Sequence, residues 1–172
     1  MTHELHSERL LLRAFRAEDE DILVRLWNQP EVGRYLWDGQ PVSLVKVREQ
    51  IASSMGSFEA RGFGHFTVHL GAVPGFVGFA GLRPIGSTPE VELLYAVHPD
   101  YWGRGLATEA ARAVLRFGFT VGELAEILAG ADPPNAASFR VMQRLGMTFL
   151  RNAEIGGRPV RYYRITREAF LG

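Results

Sequence analysis

One segment near the middle of the chain narrows the possible folds more than any other. Residues 91–98 form an apolar run typical of a buried strand, and residues 105–119 repeat apolar side chains at helical spacing. Gly103 and Gly105 stand between the two. Glycine adopts positive φ without a steric penalty and lets a ligand approach the backbone closely. We therefore expect a strand that leads through a glycine turn into an amphipathic helix.

Such a turn suits a phosphate group, because the first amides of a helix have no internal partner and lie at the positive end of its dipole. Two other interpretations stay open from the glycines alone. A tight turn needed only for packing explains the pair equally well. A dinucleotide-binding turn would carry a third glycine and follow its strand directly, whereas residues 99–102 intervene here. A nucleoside-triphosphate loop is excluded, because Lys46 is the only lysine and lies in no Gly-Lys-Ser/Thr sequence.

The rest of the pattern predicts an α/β chain with a mixed sheet, because the later helices must cross between parallel strands. A turn at residues 71–75 favours an antiparallel pair on either side of it. Residues before Arg9 are expected to form a tail, and the segment with Tyr35 and Trp37 a loop. The predicted strands are 9–15, 62–70, 76–85, 91–98, 127–131, 147–151 and 160–166, and the predicted helices are 17–27, 44–58, 105–119 and 135–145.

Composition excludes several classes of protein. The 172 residues suit a single domain over 1–172, and 19 basic residues balance 19 acidic ones. A surface devoted to nucleic acid or to anionic membrane would show a basic excess, so neither partner is expected. The chain has no cysteine, which excludes disulfides, thiolate metal sites and a cysteine nucleophile. Two of its five histidines, His3 and His6, lie in the expected N-terminal tail and the other three are dispersed, so no metal site is expected either.

Localisation follows from the distribution of apolar residues. No apolar run approaches the ~18 residues that span a bilayer. The N-terminal sequence MTHELHSERL is polar and of mixed charge, unlike a signal peptide. A cytoplasmic protein is therefore expected, either a monomer or a homodimer.

The wider sequence resembles the acetyl-CoA-binding region of the GNAT N-acetyltransferase superfamily. The family pattern Gln/Arg-x-x-Gly-x-Gly/Ala reads Trp102-Gly103-Arg104-Gly105-Leu106-Ala107 here, with tryptophan in place of the commonest first residue. The run from Tyr101 to Ala110 is similar to the subgroup of ribosomal-protein N-terminal (alanine/serine) acetyltransferases, as is the opening segment from Ser7 to Arg13. Asn135-x-x-Ser138 followed by Leu145-Gly146-Met147 matches a second family element.

This resemblance implies a GNAT-like mixed, mostly antiparallel sheet with a central parallel strand pair and flanking helices. It also implies acetyl-CoA as cosubstrate and no metal. The residues that it assigns to the cosubstrate are Tyr95 and Val97 on the strand, the amides of Gly103, Arg104, Gly105, Ala107 and Thr108 for the pyrophosphate, and Asn135 with Ser138 on the later helix.

Acetyl transfer to an amine needs a base, because an alkyl ammonium with a pKa near ~10.4 is mostly protonated at neutral pH. Glu92 stands where the family has an acidic strand residue and is the candidate base, through water. A cross-strand ion-pair glutamate is an equally good interpretation, and Glu90 is a weaker alternative base. The resemblance assigns the oxyanion donor to the Tyr95 amide. It assigns protonation of the thiolate to Ser138, a residue that helix capping explains equally well.

The leading hypothesis is an acetyl-CoA-dependent N-acetyltransferase that acetylates a primary amine directly, either a protein N-terminus or a small molecule. Without cysteine, no cysteinyl acyl-enzyme can form. The acidic start of the first helix, with Tyr35, Trp37 and Asp38 beyond it, lies where the family builds its acceptor site. The alternative is a non-catalytic acyl-CoA-binding sensor or interaction module.

Overall fold

The computed structural model describes residues 3–73 and 75–172, so Pro74 of the predicted 71–75 turn lies outside the described residues. Strands and helices alternate along the chain. The strands are β1 (Glu4–His6), β2 (Leu10–Ala14), β3 (His65–Leu70), β4 (Phe76–Pro84), β5 (Val91–Val97), β6 (Glu126–Ala131), β7 (Thr148–Ile155) and β8 (Arg158–Thr166). The helices are α1 (Glu20–Trp27), α2 (Pro30–Leu36), α3 (Leu44–Arg61), α4 (Leu106–Thr120), α5 (Ala136–Arg144) and α6 (Arg167–Leu171).

All eight strands join one sheet in the order β1-β2-β3-β4-β5-β6-β8-β7. Neighbouring strands are antiparallel except β5 and β6, which run parallel and pair at the single register position Glu92–Leu128. Toward their carboxyl ends no further pairing joins the two strands, and we call this unpaired region between β5 and β6 the gap. The predicted sheet, mostly antiparallel with one central parallel pair, is confirmed.

Helices cover the sheet on two faces, which we call the back and the front. On the back, α4 and α5 pack on Leu93 and Val97 of β5. On the front, α1, α2 and α3 enclose an aromatic cluster that contains Trp27 and Phe79, with Leu94 and Ala96 of β5 packed against it. Because side chains alternate along a strand, β5 contributes alternate residues to the two faces.

Local capping explains where the longer helices begin and end. The Ser43 hydroxyl accepts the Lys46 N–H at 3.1 Å and so caps α3, which ends at Gly62 with a φ of 79°. The Asn135 carboxamide caps α5, as predicted. These caps are formed by residues within a few positions of the helix ends, so the sequence pattern could reveal them.

Three short elements were missed by the sequence pattern. The expected N-terminal tail contains β1, which pairs with residues 11–13 of β2. The expected loop around Tyr35 contains α2, with Pro30 in its first turn. Helix α6 closes the described chain. Isolated elements this short are marginal in water, so packing against the rest of the fold stabilises them.

Candidate active site

The glycine turn has the backbone geometry that its sequence predicts. Gly103 has a φ of 77° and Gly105 a φ of 74°, and α4 starts at the next residue. The first helical hydrogen bond runs from the Glu109 N–H to the Gly105 carbonyl at 3.1 Å, so the amides of residues 106–108 precede the helical ladder. A Cβ on Gly103 would meet no atom within 4 Å. The turn therefore presents unpaired amides beside open space.

Strand β5 directs part of its backbone into the gap. The His98 N–H donates to the Val77 carbonyl at 2.7 Å, and bonded pairs alternate along an antiparallel ladder. The N–H and C=O groups of Tyr95 and Val97 therefore face away from β4, toward the gap between β5 and β6. The Val97 carbonyl accepts the Trp102 indole N–H at 2.7 Å, and the Val97 N–H remains directed into the gap.

On the back face, Tyr95 reaches across the gap to α5. Its hydroxyl lies 2.7 Å from the Ser138 Oγ and donates to the Ser138 carbonyl at 3.1 Å. Burial raises the pKa of Tyr95 to about 12, although the hydrogen bond with Ser138 lowers it, so the phenol stays protonated at neutral pH. The Asn135 Oδ1 accepts the Ser138 N–H at 3.2 Å. Tyr95, Ser138 and Asn135 are thus brought together, and the capping interpretation of Asn135 is confirmed.

On the front face, Glu92 is almost fully buried and pairs with Arg83 of β4. The Arg83 Nε donates to a Glu92 carboxylate oxygen at 2.8 Å. The cross-strand ion pair that the sequence left open is therefore present, and the role of Glu92 as a base stays a prediction. Glu90 is held separately by a bidentate contact with Arg151 at 2.7 and 2.9 Å, and this hydrogen bonding lowers the pKa of Glu90.

Tyr162 of β8 is a front-face residue that sequence reasoning missed. It is 4% exposed and stands opposite Gly130, where a Cβ would lie 2.7 Å from its ring. Burial, followed by the negative charge of Glu92, raises the pKa of Tyr162. Because 70 positions separate Tyr162 from Glu92, no local signal could have paired them.

Arg158 joins three segments near the carboxyl end of β6. Its guanidinium contacts Asp38 in the loop after α2 at 2.5 Å and Asp132 at the end of β6 at 2.6 Å. Asp132 directly follows β6, four residues after Leu128, which pairs with Glu92 of β5. The sequence analysis expected none of these contacts.

Comparison with known proteins decides the family. The Acetyltransferase (GNAT) domain family matches residues 9–148. The chain belongs to the GNAT acetyltransferases. It is 28% identical over 143 residues to the uncharacterized N-acetyltransferase p20 of Bacillus licheniformis, covering 82% of this chain and 80% of that one. It is 26% identical over 144 residues to the spermidine N(1)-acetyltransferase of Escherichia coli K12, covering 83% and 74%.

A solved structure of a GNAT-family acetyltransferase from Bacillus anthracis superposes with a TM-score of 0.80 at 27% identity, over 96% of this chain and 99% of that chain. The protein is thus an N-acetyltransferase of the GNAT family, with acetyl-CoA as its cosubstrate. The chemistry of the site fits this cosubstrate. The unpaired amides after Gly105 suit a pyrophosphate, and the β5 backbone facing the gap suits the amide groups of a pantetheine arm.

Other features of the described chain bear on cofactors and membranes. Residues 3–73 and 75–172 contain no group of three or more metal-ligating side chains. Within the same ranges, no helix is both long and apolar enough to cross a membrane. The remaining predicted cosubstrate residues lie at the start of α4. Arg104 stacks on the Tyr101 ring at 5.5 Å, and the Thr108 hydroxyl is buried without a partner.

Proposed function

We propose that the protein transfers the acetyl group of acetyl-CoA directly to a primary amine, which enters from the front face. The observation that carries this proposal is the gap between β5 and β6, which has Glu92 on its front side and the Tyr95–Ser138 pair on its back side. Acetyl-CoA supplies an acetyl thioester whose sulfur leaves as a thiolate. Groups that accept and donate protons therefore flank the reacting centre from opposite faces.

Each residue has a defined part in this proposal. Glu92 accepts the proton of the incoming ammonium through water, while Arg83 orients the carboxylate through a hydrogen bond. The Tyr95 amide, which points into the gap, donates to the carbonyl oxygen of the acetyl group as negative charge develops there. The amine nitrogen then bonds to the acetyl carbon, and the C–S bond breaks. The Ser138 hydroxyl protonates the departing sulfur, and the second proton that the nitrogen loses as the amide forms restores this hydroxyl through water. Val97 and Asn135 bind the pantetheine arm. The pyrophosphate is bound by the amides of Gly103, Arg104, Gly105, Ala107 and Thr108.

The acceptor class is a protein N-terminus or a small-molecule amine. The opening strand and the Tyr101–Ala110 segment resemble the ribosomal-protein N-terminal acetyltransferases, which supports the first class. The similarity to a spermidine N(1)-acetyltransferase supports the second. A single domain over residues 1–172 is supported by one sheet that unites β1 to β8. A cytoplasmic monomer or homodimer completes the proposal.

The test is acetylation by the purified protein of peptides with free N-termini, spermidine and aminoglycosides, read by mass spectrometry and thiol release. We expect Glu92→Gln to lower kcat by about 10²-fold, a typical contribution of acid–base catalysis, with the Kd for CoA unchanged. Glu90→Gln is the matched control, because it removes a neighbouring carboxylate with its own arginine partner. If kcat fell equally in the two variants, Glu92 would have only a structural role, as the partner of Arg83 in an ion pair.

The proton donor is tested separately with two variants, Ser138→Ala and Tyr95→Phe. The Tyr95→Phe change keeps the aromatic ring and removes only the phenolic hydroxyl. We expect each to lower kcat by about 10-fold and the double variant to lose no more than the larger single loss. Independent, additive losses would show that the two hydroxyls do not act as one unit. CoA binding without thiol release against any acceptor would instead favour a non-catalytic acyl-CoA-binding module.

A further inference from the structure

Arg9, immediately before β2, contacts the glycine turn from a distant part of the chain. Its Nη1 donates to the Arg104 carbonyl at 2.9 Å, inside the turn flanked by Gly103 and Gly105. Its Nε and Nη2 both contact the Glu109 Oε2 at 2.7 Å. One guanidinium therefore links the opening segment, the turn and the first part of α4.

Glu109 anchors this guanidinium. It lies in the first turn of α4, and its side chain is only 16% exposed. Its Oε1 accepts the Ser7 hydroxyl at 2.7 Å and the Arg9 backbone N–H at 2.8 Å. Burial raises the pKa of Glu109, but these hydrogen bonds and the charge of Arg9 outweigh that effect and leave the pKa lowered. The carboxylate is thus ionised and fixed in position.

The bond to the Arg104 carbonyl determines the direction of an amide. A trans peptide is planar, and its C=O and N–H groups point in opposite directions. The Arg104 carbonyl shares its peptide plane with the Gly105 N–H. Because Arg9 holds the carbonyl on one side, the Gly105 N–H is directed to the other. Gly105 contributes its N–H to this peptide at a positive φ of 74°, and as a glycine it places little steric restriction on the rotation of the peptide.

We propose that Arg9 is a positioning residue for the pyrophosphate of acetyl-CoA, holding the peptide between Arg104 and Gly105 so that the Gly105 amide faces the phosphate. This assignment rests on the proposed role of the turn amides in binding the pyrophosphate. Arg9 acts through the turn, because all three of its guanidinium nitrogens already contact Glu109 or the Arg104 carbonyl.

The experiment compares two acetyl donors in the full-length protein. Acetyl-CoA carries the pyrophosphate, and acetyl-pantetheine lacks it. For Arg9→Ala and Arg9→Lys we expect KM for acetyl-CoA and the Kd for CoA to rise at least 10-fold. We expect kcat with acetyl-CoA, and kcat/KM with acetyl-pantetheine, to stay within twofold of the unaltered protein. Glu109→Gln should reproduce the loss, and Arg9→Ala combined with Glu109→Gln should add little to it.

Arg48→Ala is the matched control, because it removes an exposed bidentate ion pair with Glu20 at 2.6 and 3.1 Å, away from the turn. It should leave both donors unaffected. Thermal unfolding of every variant separates loss of the fold from loss of CoA affinity. If Arg9→Ala is unstable, Arg9→Lys provides the test, because it keeps the positive charge. Unchanged CoA affinity in the Arg9 variants, or equal losses for both donors, would overturn the assignment. An unaltered protein that turns over acetyl-CoA and acetyl-pantetheine equally well would overturn the proposed role of the turn amides together with this assignment.

Discussion

At the scale of single residues, alternation along β5 separates the chemistry of the site. Leu94 and Ala96 pack on the front cluster, so Glu92 shares that face, whereas Tyr95 packs on the back. Glu92 and Tyr95 are three positions apart, so the carboxylate and the Tyr95–Ser138 hydroxyl pair lie on opposite sides of the gap. The alternation is a property of any strand, but a strand sequence does not say which helices cover each face.

His65 is a buried residue with a consequence for stability. Its ring packs against Phe15 and Phe79, and its Nε2 has no hydrogen-bond partner. Burial, followed by the charge of Arg83, lowers the pKa of His65 to about 3. In the unfolded chain the pKa of a histidine is about 6.5, so between these values the unfolded state binds a proton that the folded state excludes.

Above pH 6.5 His65 is neutral in both states and does not reduce the free energy of unfolding. As the pH falls below 6.5, protonation of this histidine in the unfolded state lowers the free energy of unfolding. Between pH 7 and pH 5 we expect this group to remove about 2 kcal/mol from the free energy of unfolding. The His65→Met variant has no imidazole at this position to bind the proton. Its denaturant midpoint should therefore fall less between pH 7 and pH 5 than that of the unaltered protein. His6→Gln, an exposed histidine on β1, is the control and should keep the full pH dependence. Parallel curves for His65→Met and the unaltered protein would contradict the prediction.

At the scale of elements, the glycine turn combines backbone strain with ligand access. A Cβ on Gly103 would meet no atom within 4 Å, so lack of space does not require glycine there in the free protein. The requirement comes from the positive φ alone. A non-glycine residue in the left-handed region costs roughly 1–2 kcal/mol. The space above the turn is the space that the pyrophosphate would occupy in the proposed complex.

Gly103→Ala should therefore lower the free energy of unfolding by roughly 1 kcal/mol and raise the Kd for CoA at least 10-fold. Gly86→Ala is a close control, because Gly86 also has a positive φ, of 54°, and an open Cβ position, but lies in the turn before β5. The two variants should lose similar stability in chemical denaturation. CoA affinity that falls equally in both, measured by calorimetry, would show that the turn contributes no specific contact.

At the scale of the whole molecule, the Arg158 bridge joins the loop after α2 to the carboxyl end of β6. Asp38 in that loop and Asp132 after β6 share one guanidinium. In the proposed reaction the amine enters on this side, so the bridge controls the charge that the amine meets. Asp38 is 63% exposed, and an ion pair that exposed contributes little free energy, so it opens readily.

Arg158→Gln should leave two carboxylates without their cation at this entrance. We expect KM for a cationic amine to fall about threefold, in keeping with the modest free energy of an exposed pair, while KM for acetyl-CoA is unchanged. Arg164→Gln on the same strand, whose ion pair with Glu126 spans 3.6 Å, is the control. Steady-state kinetics with both substrates varied provide the measurement. A shift in KM for acetyl-CoA, or an equal effect of Arg164→Gln, would contradict the role of the bridge.

Much of the fold could be predicted because its signals are local. The strand before the glycine turn, the cap formed by Ser43 and the cap formed by Asn135 depend on residues within a few positions of one another. The family resemblance rested on equally local motifs, and the GNAT family and sheet type are confirmed. The sequence pattern did not predict the short elements β1 and α2, because their stability comes from packing and not from their own composition.

The sequence by itself determined the backbone of the turn, because glycine alone reaches positive φ without strain, and it determined the residue types available for the chemistry. Only the tertiary structure decided which of them meet. Tyr95 contacts Ser138 across 43 positions, Arg9 contacts Glu109 across 100, and Arg158 contacts Asp38 across 120. Such contacts depend on the register of every strand between them, and a shift of one residue in one strand would move its side chains to the opposite face.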